Sequence, residues 1–274
     1  MRKKLITFLF FILFLGFNLS FTQFTKEELA EEPKWVEFLQ TAEIVGQIRL
    51  GGSEAVTEPW RLTLEKDGIQ RFALWKNPEG RQKGFIEGWQ WEIAAYRLDR
   101  YLGLNMVPPT AEKRFQGDRG SCQLWVEVEM SLRDKNEKNI KIPSYKVFYW
   151  NRATYLHRAF DNLIANEDRH ANNILITKDW RMLLIDHSRS FRTLKKFTSE
   201  LIYTAKHKEG PREMKELPRV FVEKLKSLTF NVIKEVVGEY LTDEEINAIL
   251  KRRDLIIDWI NKQIEKLGED KVLY

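Results

Sequence analysis

Asp168 and Asn173 stand five residues apart, and Asp186 follows eighteen residues after Asp168. Two carboxylates and an amide carbonyl are hard oxygen donors, the kind that suit Mg2+ or Mn2+. Their neighbours can gather them. Ile174–Thr177 and Met182–Ile185 read as short apolar strands around a turn at Lys178-Asp179, and such a hairpin returns Asp186 to the side of Asn173. The chemistry that fits is phosphoryl transfer from ATP. That reaction needs metal to neutralise phosphate charge, a carboxylate to orient the acceptor, a Lys on the phosphates and a flexible cover. Asp168 is the candidate acceptor-orienting carboxylate, and Asn173 and Asp186 are the candidate metal ligands. Lys76 ends a strand and can reach phosphate; Glu92 lies on the following helix, where it can pair with Lys76. The Gly51-Gly52-Ser53 turn can bring backbone N–H groups to phosphate.

Each residue alone has a plainer reading. Asp168 and Arg169 read as a surface ion pair, and most such pairs contribute little. Lys76 reads as a solvated strand end and Glu92 as an exposed helix position, with Glu87 as a rival for its role. His170 reads first as a hydrogen-bonding residue that holds the loop, with proton transfer as the alternative. Trp89 and Trp91 read as core or lobe-interface residues, and Arg189 and Arg192 as solvated or facing an anionic substrate. What separates the two sets of readings is order: Gly turn, Lys, Glu helix, hinge strand, then Asp, Asn and Asp run in one succession along the chain.

The elements that must position these residues follow from periodicity. Residues 24–40 read as a helix, and 42–50, 60–64 and 72–75 as strands, with a turn signal at Asp67-Gly68. Phe85, Trp89, Ile93 and Tyr96 share one helical face and predict a helix over 84–102 that Gly103 stops. Pro108-Pro109 forces extended chain, and 123–130 alternates as a strand. The charged stretch 131–143 is the candidate hinge. Helices are predicted over 146–165, 219–240 and 243–267, the last with Thr242 as N-cap and Glu245 three residues on. The class is α+β with two lobes: a small β-rich N-lobe over 23–130 and a larger, mainly helical C-lobe over 131–274.

The run from Asp168 to Asn173, followed by Ile185-Asp186, resembles the catalytic and metal motifs of phosphatidylinositol 3- and 4-kinases and of HipA-type kinases. Glu92 to Arg100, followed by Val107-Pro108-Pro109, is similar to the secretory-pathway kinases that phosphorylate proteins and proteoglycan sugars in the Golgi. The resemblance covers roughly residues 44–260 and implies the atypical protein-kinase-like fold. It implies that Asp168 is the catalytic carboxylate, that Lys76 and Glu92 sit at the phosphates and metal, that Asp186 binds metal, and that His170 has a catalytic role as in the lipid kinases. The sequence departs from the pattern in places. His187-Ser188-Arg189 follows Asp186 where Phe-Gly is common, the bracing cysteines of the Golgi kinases are absent, and Asn173 matches the lipid and HipA-type pattern. The acceptor is therefore left as a hydroxyl of protein, lipid or sugar. The alternatives are transfer of another group such as AMP, or a non-catalytic nucleotide-binding pseudokinase.

Composition is that of an ordinary folded chain: 274 residues, 43% hydrophobic, 31% charged, net charge +5. No Lys/Arg block exceeds three residues, so no nucleic-acid partner is expected. The single Cys122 excludes an internal disulfide. Residues 1–22 differ from the rest: Arg2, Lys3 and Lys4 precede the apolar run Leu5–Phe17. This reads as a signal peptide or an N-terminal membrane anchor. The basic start predicts export of the rest of the chain, with membrane contact through the N-terminal segment; a domain on the cytoplasmic face is the alternative.

Overall fold

Apolar residues alternate along the first strands, and the sheet they build is antiparallel. The computed structural model describes residues 23–51, 59–82, 84–207 and 210–274. Helix α1 (Lys26–Thr41) opens with a capping box between Thr25 and Glu28. Strands β1 (Glu43–Arg49), β2 (Trp60–Lys66) and β3 (Ile69–Lys76) follow, and β6 (Thr110–Phe115) and β7 (Asp118–Leu124) complete a five-stranded sheet in the order β1-β2-β3-β7-β6. Leu62 and Leu64 point inward while Arg61 and Thr63 do not, as the alternation predicts. They meet Phe38 and Leu39 of α1, with Trp75, Phe115 and Cys122, in the first of two cores. Lys113 Nζ donates to the carbonyl of Ala42 at 2.7 Å, placing a cation on the end of α1.

The sequence-based elements shift in four places. The stretch 84–102 is not one helix: β4 (Glu79–Gln82) and β5 (Phe85–Gly88) pair as a hairpin, and α2 (Gln90–Leu102) starts only afterwards. Phe85 is exposed, so its helical spacing from Trp89 is coincidental. The predicted strand 123–130 is displaced. Its core is β7, turned from β6 at Gln116-Gly117, and only Met130–Ser131 (β8) returns to a strand. The charged 131–143 stretch holds a short helix, α3 (Leu132–Glu137), capped by Ser131. The helix predicted over 219–240 breaks into α6 (Arg219–Ser227) and α7 (Phe230–Val237), because Thr229 accepts from Val232 N–H and caps a new start. Gly103, with φ of 76°, ends α2 in the left-handed conformation a glycine adopts freely.

The remaining elements are α4 (Val147–Ile164), β9 (Ile174–Ile176), β10 (Met182–Leu184), α5 (Lys195–Thr198), α8 (Asp243–Leu267) and α9 (Glu269–Val272). β8, β9 and β10 form a small antiparallel sheet. The second core joins Leu98 and Leu102 of α2 to Leu156, Phe160 and Leu163 of α4 and to Ile249 and Ile256 of α8. Thus α2 borders both the sheet and the helical region, a position from which its first turn can reach the cleft between them. This is the two-lobed α+β arrangement of a protein kinase. No helix among the described residues is long and apolar enough to cross a membrane.

Candidate active site

Strand β3 is the central strand of the large sheet, and it ends on Lys76, which is 8% exposed. Its Nζ lies 2.9 Å from Glu92 Oε1 and 2.8 Å from Asp186 Oδ1. Glu92 lies in the first turn of α2, and its Oε2 accepts from the backbone N–H of His187 at 2.9 Å. One glutamate therefore ties the strand end to the segment that leaves β10. Burial acts to lower the Lys76 pKa, but the carboxylates of Asp186 and Glu92 outweigh it and hold the ammonium above its ordinary range. Burial would raise Glu92 and Asp186, but the Lys76 charge together with contributions from His187 outweighs it in both, so both carboxyls sit below theirs. All three groups are charged at neutral pH. Glu87 takes a different partner. It lies on β5, is buried, and binds the Arg189 guanidinium at 2.8 Å.

The loop after α4 is held from below. Ala165 turns left-handed at the end of the helix, and Asn166 Oδ1 accepts from Asp168 N–H at 3.1 Å. The surface pairing of Asp168 with Arg169 does not occur. Arg169 is buried and forks onto Asp161 of α4 at 2.9 and 3.0 Å. It also donates to the carbonyls of Asn173 at 3.0 Å and Ile185 at 2.5 Å, so one side chain fixes both the loop and the strand that carries Asp186. Its Nη2 lies 2.8 Å from His187 Nε2. Arginine can only donate, so Nε2 accepts and the ring proton sits on Nδ1, 3.6 Å from Glu92 Oε2. Burial lowers the His187 pKa, consistent with that neutral ring.

Asp168 faces the cleft. Its Oδ2 lies 3.0 Å from Arg189 Nη1, and Arg189 also lies over the Phe85 ring at 4.0 Å. Burial raises the Asp168 pKa, with the charges of Arg189 and His170 opposing. Asn173 Nδ2 stands 3.4 Å from His170 Nε2 and 3.5 Å from Asp186 Oδ2. Asp186 itself has φ of 61°, a left-handed conformation that costs an aspartate ~1–2 kcal/mol, so the fold holds it there against local preference. Asp168, His170, Lys76, Asp186 and Gly51 border a cleft of about 740 Å3. Leu74, Trp125, Val126, Leu175 and Ile185 give it an apolar end. Gly52 and Ser53 lie outside the described residues. Sequence reasoning missed Arg169, Asp161 and His187 as organisers of this site; the nearest signal was Arg169 beside two apolar strands, where a free charge would be costly.

No family model and no curated protein sequence matches this chain. Solved structures do. A structure of hydra Fam20 with sugar aligns over 89% of this chain and 92% of its own, at 15% identity and a TM-score of 0.61. The Golgi casein kinase with Mn and ADP bound aligns over 93% and 80%, at 16% identity and a TM-score of 0.64. A second Golgi casein kinase structure aligns over 93% and 79%, at 15% identity and 0.62. The chain shares the kinase-like fold of these Fam20 and Golgi casein kinase structures. At these identities, the Fam20-like likeness covers architecture, and chemistry must be argued from the side chains.

Proposed function

We propose that this chain is a kinase, moving the γ-phosphoryl group of ATP to a hydroxyl on a protein, lipid or sugar with help from Mg2+ or Mn2+. The observation that supports it most is the shared ammonium. Lys76 binds Glu92 and Asp186 together, at the wall of a cleft that Asp168 also borders. Among the described residues, no three His, Cys, Asp or Glu side chains converge to cage an ion. Asp186 and Asn173 instead suit an ion that completes its shell with phosphate oxygens and water, as Mg2+ does. The Mn- and ADP-bound Golgi casein kinase supports the same pair of cofactors. When bound, the metal would neutralise charge on the phosphates.

The chain's own residues divide the remaining work. Lys76 holds phosphate oxygens, and Glu92 keeps its ammonium charged and aimed. The apolar end of the cleft takes the base, and Gly51, at the cleft border, lies by the phosphates. Asp168 orients the acceptor hydroxyl and takes its proton as the oxygen bonds to the γ-phosphorus and ADP leaves. A carboxylate made more basic by burial suits that role. His170 lies close enough to Asn173 to hold the loop. Residues 1–22 serve to export or anchor the domain. Incubation with Mn2+ and ATP labelled at the α or γ position, over protein and glycan acceptors, tests the reading. Transfer of γ label alone is expected; transfer of α label would replace the kinase with an AMP transferase.

A further inference from the structure

The first described residue emerges beside an unusual surface. Gln23, Thr25 and Lys26 line a cleft of about 470 Å3 together with Lys146, Tyr149 and Trp180. Around Lys146 in the chain, Tyr145 is 72% exposed, Phe148 53% and Tyr149, which lines the cleft, 43%. These residues form one patch at the start of α4. The Phe148 and Tyr149 rings are 5.5 Å apart, and Lys146 Nζ lies 5.9 Å from the Tyr145 ring centre. Val147 is exposed between them. Lys141 adds exposed positive charge nearby in the chain, and Lys26 adds it across the cleft, which Glu27 and Asp179 also line. Large aromatic side chains interleaved with Lys on a helix start are the composition of a lipid headgroup boundary, where ring bodies sit among acyl carbonyls and ammonium groups meet phosphate. An exposed apolar patch of this kind calls for a partner.

The chain itself says which partner. The apolar run Leu5–Phe17 ends six residues before Gln23. Six residues span roughly 20 Å at most. A bilayer that receives that run therefore lies within reach of the patch. We propose that Tyr145, Phe148 and Tyr149 dock the folded domain onto the bilayer surface from which the N-terminal segment emerges, fixing the domain's orientation there. This inference rests on residues 1–22 being retained as a membrane segment, and its test separates the two.

The full chain is reconstituted with vesicles of phosphatidylcholine and phosphatidylglycerol. Cys122 is fully buried and burial pushes its thiol up to about 12, so it does not compete for a thiol-reactive label. Phe148→Cys and, as a control, Val220→Cys at an exposed position of α6 are each labelled with a polarity-sensitive fluorophore. Flotation reports anchoring, and quenching by spin-labelled lipid reports docking. Both variants are expected to float, with a blue-shifted, lipid-quenched label at 148 and a water-exposed label at 220. Adding Tyr145→Ser and Tyr149→Ser to Phe148→Cys should return the label to water while flotation persists. Flotation with a water-exposed label at 148 would overturn docking and leave anchoring intact. Loss of flotation would overturn both. A label at 148 that is shielded but unquenched by lipid would mean that protein covers the patch, and would also overturn the proposal.

Discussion

Lys76, Glu92 and Asp186 form a unit in which two carboxylates lean on one ammonium; removal of Lys76 leaves both carboxylates unpaired, whereas removal of Glu92 leaves Lys76 with Asp186 and the His187 N–H without its acceptor. Breaking a buried pair from one side costs ~3–5 kcal/mol. Lys76→Ala should lower urea stability by about that amount and Glu92→Ala by less, because the Lys76–Asp186 pair survives, while the double variant falls short of the sum by ~1–3 kcal/mol. Additive losses would separate the two residues. Arg189 allows a second test. It holds the Asp168 pKa down against burial, so Arg189→Ala should let that pKa rise further. If Asp168 acts as the base, the acid limb of the pH–rate profile then moves to higher pH. A limb that stays in place would remove Asp168 from that role. At this scale the sequence was informative where residue type alone limits chemistry: Asp168, Asn173 and Asp186 could be picked out by spacing. Arg169 could not, because its partner Asp161 lies a full helix end away and nothing in the spacing of the two marks a buried fork.

Elements place these residues through close approaches that a pattern of polarity does not record. Gly120 on β7 faces the end of β3, and a Cβ there would sit 2.6 Å from the Lys76 carbonyl and the Trp75 ring. Gly120→Ala must push the strand end aside, costing ~1–3 kcal/mol of stability and weakening nucleotide binding through displaced Lys76. Unchanged binding in a correctly destabilised variant would show that Lys76 is placed by other means. At the opposite end of the chain, Thr242 accepts from Glu245 N–H, and Thr242→Ala should cost ~1 kcal/mol on thermal unfolding without touching nucleotide binding. That cap was readable because Thr and Glu at that spacing have a local use. The β4–β5 hairpin was not. Phe85, Trp89, Ile93 and Tyr96 imitate a helical face, and the true start of α2 depends on Gly88 passing within contact of the Trp91 ring. The break at Thr229 was missed because apolar spacing runs on through α6 and α7.

At the scale of the whole molecule, a sheet bearing Lys76 meets a helical region bearing Asp168, and the buried polar layer under that junction sets the pH response. His157 on α4 is buried, and burial lowers its pKa to about 3; Asp161 acts to raise it, and Arg169, Arg158 and Arg212 to lower it further. The unfolded chain takes up a proton at this residue near pH 6.5, and the folded chain does not. Stability therefore rises with pH across this window and is lost as pH falls from 6.5 toward 3, by up to about 1.4 kcal/mol per pH unit. Between pH 7 and 5, the wild-type urea midpoint should fall more than that of His157→Phe; parallel falls would show that this histidine is already free to protonate in the fold. The two-lobed class was legible from strands giving way to helices, whereas the dual role of α2 was not, because its burial on several faces arises only once both cores exist. The central claim is that nucleotide and metal meet between these two regions at Asp186. The most direct measurement is titration calorimetry of a non-hydrolysable ATP analogue with and without Mn2+, for the wild type and for Asp186→Asn. The expected result is binding that Mn2+ strengthens in the wild type and leaves unchanged in the variant. Absence of nucleotide binding in the wild type, or the same Mn2+ dependence in both proteins, would contradict it.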